Sequence, residues 1–383
     1  MKSRIDDIEI LRAFAVLFVI IEHMQINLFS WGTPVLKLFY QNFSGWSGVD
    51  LFFVISGFVI AKNLVPRLQA SRSRREYFRN SIIFWVRRFW RLIPSAWTWL
   101  LVILLASIFF NSSGVWGPVA NNLRTVIAAF LQIANFHGAA IYGHSVPGAA
   151  FVYWSLSLEE QFYLVLPLLV LLSGKRLPLV LALIVVPQLF MQRGTPLLAL
   201  TRTDALFLGV LLALWSNSPS YLRFRPHLLR HGLLAVITVI AALLVLGIGG
   251  AEHLPIKDYR YGIITCVSGL LVFAASFDDN YFSRPTWLKT PLLWVGTRSY
   301  ALYLTHMPCF FMTREIWFRL EPPGTRFDAA YTYCFLATAV VLLIVLSELN
   351  FRFIETPLRK HGVEVARRLA ARKIAGPGGK GSD

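Results

Sequence analysis

The sequence predicts an all-α integral membrane protein, a bundle of about ten transmembrane helices with no soluble domain. Three observations carry this. Of 383 residues, 56% are hydrophobic and only 15% charged, against roughly 25% charged in an ordinary soluble domain. Mean hydropathy is +0.58. The apolar residues gather in stretches near the length of about 20 residues that a membrane-crossing helix needs. One soluble core could not hide so much apolar surface, which excludes a soluble enzyme, a disordered protein and a nucleic-acid-binding domain.

The expected spans are roughly 8–28, 46–65, 92–110, 151–172, 177–192, 204–216, 232–250, 260–277, 292–312 and 331–351. The first carries Glu9, Arg12, Glu22 and His23 and no small-x-small cleavage site follows it, so it reads as a retained signal anchor. The fifth and sixth are short for a span. A further stretch, 119–136, has helical apolar spacing but also Asn121, Asn122, Arg124, Gln132 and Asn135, and is expected to be re-entrant or interfacial. The segment 84–94 mixes Arg with Phe and Trp, as in a helix at headgroup level. Cys266, Cys309 and Cys334 lie in apolar stretches with no disulfide or metal spacing and are expected as small buried core residues.

The net charge of +17 is read through the positive-inside rule rather than as a nucleic-acid signal. With a cytoplasmic N-terminus and ten spans, both termini are cytoplasmic. Nine of the 37 Lys and Arg then fall on the other side: Lys37, Arg124, Arg193, Arg202, Lys257, Arg260, Arg314, Arg319 and Arg326. The remaining 28 stay in the cytoplasm, most densely between the second and third spans. The C-terminal tail is basic and turns Gly-rich over 377–383, where disorder is expected.

Ionisable residues at membrane depth cost about 2.5–3.5 kcal/mol each on insertion scales and mark candidate sites. Arg12 and His23 are eleven residues apart. At about 100° and 1.5 Å per residue they share one helix face, roughly 16 Å apart along the axis. One face thus presents a fixed cation at one end and a proton-exchanging group at the other. Polar groups also gather toward the outer half of other spans: Asp50 in the second, Glu159 with Ser155 and Tyr163 in the fourth, Arg202 and Asp204 before the sixth, and Tyr303 with His306 in the ninth. Five such features on one side predict a shared polar cavity.

These residues also carry a resemblance. The chain resembles acyltransferase family 3, multi-spanning membrane O-acyltransferases of surface glycans. Arg12 and His23 are similar to the family's Arg-x10-His signature, and Gly48-Val-Asp50-Leu-Phe52-Phe53-Val-Ile-Ser56-Gly57-Phe58 to its Gly-Asp-Phe-Phe-Ser-Gly-Phe stretch. Arg87-Arg88-Phe-Trp-Arg91-Leu-Ile-Pro94 resembles its arginine-rich segment, and Trp154 to Tyr163 its Trp-Ser-Leu-x-x-Glu-x-x-Phe-Tyr segment, with Glu159 as the glutamate. Arg202 and Asp204 look like the Arg-x-Asp of the glycan-acetylating branch. Ser299 to His306 and Glu355 to Pro357 match two late motifs, with Met307 in place of a frequent aromatic.

The resemblance implies an acyl donor used as a coenzyme A thioester from the cytoplasm, acetyl-CoA by default, and an acceptor hydroxyl on a glycan or lipid-linked sugar. It assigns residues 1–360 to the transmembrane acyltransferase domain and leaves 361–383 as a basic, partly disordered cytoplasmic tail. It implies an essential His23, which acts as general base or carries the acyl group; the sequence leaves both open. Arg12 is expected to help hold the donor, Glu159 or Asp50 to orient the imidazole, and Arg87, Arg88 and Arg91 to meet the coenzyme A phosphates. Arg202, Asp204, Tyr303 and His306 are expected to shape the acceptor site. No metal is expected. The implied setting is the bacterial inner membrane. Some family members carry an added esterase-like domain; this chain shows none and is expected to finish transfer alone or with a partner. The alternatives are a proton-coupled transporter and an O-acyltransferase of a small molecule.

Overall fold

A computed structural model gives the architecture. It describes residues 5–145, 148–230, 232–251, 254, 259–282 and 286–371. Lys257 and the Gly-rich segment 377–383 lie outside the described residues.

Among the described residues the secondary structure is helical, with no strand. The first half contains α1 (Asp6–Asn27), α2 (Pro34–Asn42), α3 (Ser47–Gln69), α4 (Arg74–Phe109), α5 (Val119–Phe130), α6 (Ala134–Ile141), α7 (Tyr153–Ser173) and α8 (Leu177–Leu189). The second contains α9 (Pro196–Leu200), α10 (Asp204–Trp215), α11 (Pro219–Arg223), α12 (Gly232–Gly249), α13 (Arg260–Ala275), α14 (Lys289–Thr297), α15 (Ser299–Leu320), α16 (Thr332–Leu349) and α17 (Thr356–Ala371).

Among the described residues six helical stretches, 47–69, 74–109, 153–189, 196–215, 232–249 and 329–371, are long and apolar enough to cross a membrane. Every expected span falls on a helix, but not every one meets that criterion. The helices α1 and α15 fall short of it because they carry charged and polar side chains. They can do so because protein shields them. Ile10, Leu11, Ala15 and Val16 of α1 are fully buried, as are Thr305, His306 and Met307 of α15.

Two local expectations are corrected, those on the ninth span and on the cysteines. The segment 84–94 is the middle of the 36-residue α4, which runs through Pro94. At about 1.5 Å per residue α4 is longer than the hydrocarbon layer is thick. Stretch 119–136 splits into α5 and α6 at Gln132, which has φ 59°. The ninth span is broken at Arg298, where Gly296 lies against the Glu9 carbonyl and Arg298 pairs with Glu348. Only Cys309 is buried, since an apolar helix in a membrane can turn its cysteines to lipid as well as to the core.

Two close approaches set the core. A Cβ on Gly57 of α3 would stand 2.0 Å from the Leu206 carbonyl oxygen, and one on Gly209 of α10 would stand 2.2 Å from that of Val54. The two backbones therefore touch reciprocally, as small residues permit. After α16 the chain makes a π-helical turn, Asn350–Glu355. Asn350 accepts hydrogen bonds there from Ser95 (2.8 Å) and Trp99 (3.0 Å) of α4. Helix α17 then continues through the expected domain boundary at residue 360.

Candidate active site between two cavities

The central helix α1 places Arg12 nearly two turns from its first end and His23 about one turn from its last. Arg12 Nη1 donates to Glu9 Oε1 at 3.0 Å. The His23 ring meets His306 of α15, with Nδ1 of the first 3.1 Å from Nε2 of the second. His306 is fully buried and its Nδ1 lies 2.6 Å from the Tyr303 carbonyl oxygen. A carbonyl only accepts, so His306 Nδ1 carries a proton. In a neutral His306, Nε2 is then an acceptor, and a His23 that carries its proton on Nδ1 donates to it. That leaves His23 Nε2 with its lone pair free. Phe151 packs edge-on against His23 with centroids 5.3 Å apart.

A cavity lies among α1, α3, α4, α7 and α15. Phe52, Phe53 and Leu92 give it apolar walls, and Ser56, Ser155, Glu159, Tyr163 and Tyr303 give it polar ones. Glu159 accepts hydrogen bonds from the Ser56 and Tyr163 hydroxyls. Tyr303 has its hydroxyl 2.7 Å from Ser155 Oγ and its ring centroid 5.5 Å from that of His306. Arg12, Arg88 and Arg91 line the cavity, and Arg88 lies over the Tyr163 ring at 5.3 Å. Arg12 and Arg91 also line a vestibule at the Asp6 end of α1, together with Lys62, Glu355 and Arg359.

A second and roomier vestibule opens at the Asn27 end and is lined by Glu22, Trp46, Trp154, Arg202, Arg260 and Tyr261 among others. Arg202 is 3% exposed. Its Nε and Nη2 meet Asp50 Oδ1 and Oδ2 at 2.8 and 2.9 Å, and its Nη1 donates to the Ala199 carbonyl at 2.6 Å. Trp46, Trp154 and Tyr261 cage the guanidinium at 5.5, 5.0 and 5.3 Å. Asp204 is fully buried, 3.2 Å from Arg193 Nη2 and 3.1 Å from Thr265 Oγ1.

The structure therefore redistributes the residues that the sequence singled out. His306, expected beside the acceptor, is the partner of His23. The expected carboxylate on His23 is replaced: Glu159 faces Ser56 and Tyr163, and Asp50 is held by Arg202. Arg202 and Asp204 do not pair with each other but belong to two separate buried ion pairs, and Asp204 lines neither vestibule. Arg88 and Arg91 reach the first cavity, whereas Arg87 is exposed and lines none of the three. Sequence reasoning passed over Lys62 and Arg359 in the first vestibule and the Trp46–Tyr261 pair in the second. Nothing in the spacing links these residues, since each comes from a different helix or loop. No group of three or more His, Cys, Asp or Glu able to hold a metal occurs among the described residues.

The sequence profile of the family described as an acyltransferase domain matches residues 5–348. The chain belongs to this family, acyltransferase family 3. Several curated members are similar to it over nearly its whole length. The peptidoglycan O-acetyltransferase OatA of Listeria monocytogenes is 30% identical, covering 94% of this chain and 57% of the relative. The putative peptidoglycan O-acetyltransferase YrhL of Bacillus subtilis is 28% identical, covering 95% and 56%. The O-acetyltransferase OatA of Staphylococcus aureus is 28% identical, covering 95% and 58%. The chain thus spans a little over half the length of these family relatives. No solved structure matches it.

Proposed function

We propose that this chain is a membrane-bound O-acetyltransferase. It takes an acetyl group from acetyl-CoA on the cytoplasmic side and esterifies a hydroxyl of a surface or lipid-linked glycan on the other. Its setting is the bacterial inner membrane, crossed by ten helices, with the Asp6 end of α1 toward the cytoplasm. The observation that carries this reading is the His23–His306 pair, whose His306 ring lies 5.5 Å from that of Tyr303, a residue lining the first cavity. His23 also neighbours Glu22 and Gln25, which line the second vestibule. The names of the Listeria monocytogenes and Bacillus subtilis relatives favour a glycan hydroxyl as acceptor.

The chemistry follows from the tautomers. Coenzyme A is anionic at its nucleotide end and carries a slender amide-bearing arm. The cations of the first vestibule suit the phosphates, and the mixed walls of the first cavity suit the arm. His23 Nε2 takes the proton of the acceptor hydroxyl as its oxygen attacks the thioester carbonyl. The carbon–sulfur bond breaks, and the thiolate leaves with that proton from the imidazolium. His306 holds His23 in the required tautomer and orientation, the role a carboxylate fills in a catalytic triad. Glu159 serves the arm of the donor rather than the imidazole.

The test is the O-acyl content of surface glycans by NMR in a deletion strain. The account expects ester signals to vanish on deletion and to return with the wild-type chain but not with His23→Ala. Return with His23→Ala at normal protein levels would sink it.

A further inference from the structure

We propose that the acceptor carries an oxyanion, a carboxylate or a phosphate, and that Arg260 binds it in the second vestibule. This rests on the reading of that vestibule as the acceptor side.

Arg260 opens α13 and lines the cavity beside Tyr261, whose ring lies 5.7 Å from its guanidinium carbon. Among the described residues it has one hydrogen bond, a long one of 3.4 Å from Nη1 to the Gly250 carbonyl. Its Nε is buried with no partner. No described carboxylate forms an ion pair with it. A buried donor without a partner is costly, and on a guanidinium more so.

The same vestibule shows what a satisfied arginine looks like. Arg202 uses its Nε and Nη2 edge as a fork for both oxygens of Asp50. Arg260 leaves that same edge unclaimed. A carboxylate or phosphate on the incoming molecule is the group that edge fits. Glu22 lines another part of the cavity, where its Oε2 accepts the Gly45 N–H at 2.8 Å. It suits a sugar hydroxyl and would repel a second anion there. Trp46 and Tyr261, with ring centroids 4.7 Å apart, add an aromatic wall that suits the apolar face of a sugar ring. Together these groups select an acidic glycan over a neutral one.

The experiment is calorimetric binding to the full chain in nanodiscs. The probes are an N-acetylglucosamine tetramer, a tetramer of the same length bearing N-acetylmuramic acid, a phosphorylated tetramer and inorganic phosphate. The acidic tetramers should bind about tenfold more tightly than the neutral one, as one charge-assisted contact implies. Arg260→Gln should bring that ratio close to one, and Arg260→Lys should keep part of it. Equal binding of neutral and acidic tetramers by the wild type, or an unchanged ratio in Arg260→Gln, overturns the proposal. Inorganic phosphate binding as tightly as the phosphorylated tetramer overturns it in favour of a free-anion site. Acetyl transfer is followed in parallel. Discrimination in binding without transfer fails the transferase reading and keeps the anion site, whereas transfer without discrimination does the reverse.

Discussion

His23 of α1 and His306 of α15 are joined through ring nitrogens 3.1 Å apart, and the second is anchored by the Tyr303 carbonyl at 2.6 Å. A chain of donors and acceptors thus runs from a fixed backbone oxygen to a free lone pair on His23 Nε2. The pair also links two helices that are 283 residues apart in sequence at this point. The catalytic proposal depends on that link.

Replacing His306 by Phe keeps a ring in the site and removes the acceptor for His23 Nδ1–H. Turnover should fall by about 100-fold or more, the usual worth of a positioned base. The KM for acetyl-CoA should stay within about twofold, because the donor cavity is untouched. Coenzyme A release by purified protein measures both. A loss confined to KM would place His306 in binding instead.

The cations of α4 should divide by position. Arg88→Ala and Arg91→Ala should each raise the KM for acetyl-CoA by about tenfold, since each removes a charge that lines the donor cavity. Arg87→Ala should leave it within about twofold. Steady-state kinetics at two salt concentrations would separate the three, with the first two losing the salt dependence of the wild type. Equal effects from all three would argue for a general surface attraction rather than a built cavity.

The hydropathy pattern located the long apolar helices, because it follows from local sequence, but passed over the short α2, α9 and α11 and the charged α17. The partners were less legible. Arg12–His23 spacing can be read from one helix, but His23–His306 contact depends on how α1 and α15 pack. The carboxylate assigned to His23 failed for the same reason: Asp50 and Glu159 have better partners in Arg202 and in the Ser56 and Tyr163 hydroxyls. The break at Arg298 was hidden because apolar stretches, 292–295 and 300–304, lie close on both sides of Thr297-Arg298-Ser299. Its causes, the Glu9 backbone and Glu348, lie elsewhere in the chain.

Asp50 and Arg202 form a pair with 1% and 4% of their side chains exposed. Asp50→Asn strips the counter-charge from a buried guanidinium and should cost about 3–5 kcal/mol of stability. The double variant Asp50→Asn with Arg202→Met should recover part of this, since no lone charge remains. Thermal unfolding of the detergent-solubilised protein gives the cycle. Additive losses would show that the two side chains act independently.

Gly57 and Gly209 hold α3 and α10 in backbone contact. Gly57→Ala places a methyl group 2.0 Å from the Leu206 carbonyl oxygen and requires the helices to part. The loss should reach about 1–3 kcal/mol or more. Gly324→Ala, with φ 90° but open space around it, should cost less. Unfolding temperatures of the two variants compare packing with backbone strain directly.

The central claim is acyl transfer across the membrane through His23, and a sided vesicle assay tests it most directly. Purified chain is reconstituted with labelled acetyl-CoA outside and a glycan acceptor sealed inside, so that only inward-oriented sites react. The account predicts labelled ester on the enclosed glycan, one coenzyme A released outside per ester formed, and neither product with His23→Ala. Ester formation by His23→Ala at the wild-type rate would contradict it, and so would passage of labelled solute with no ester formed.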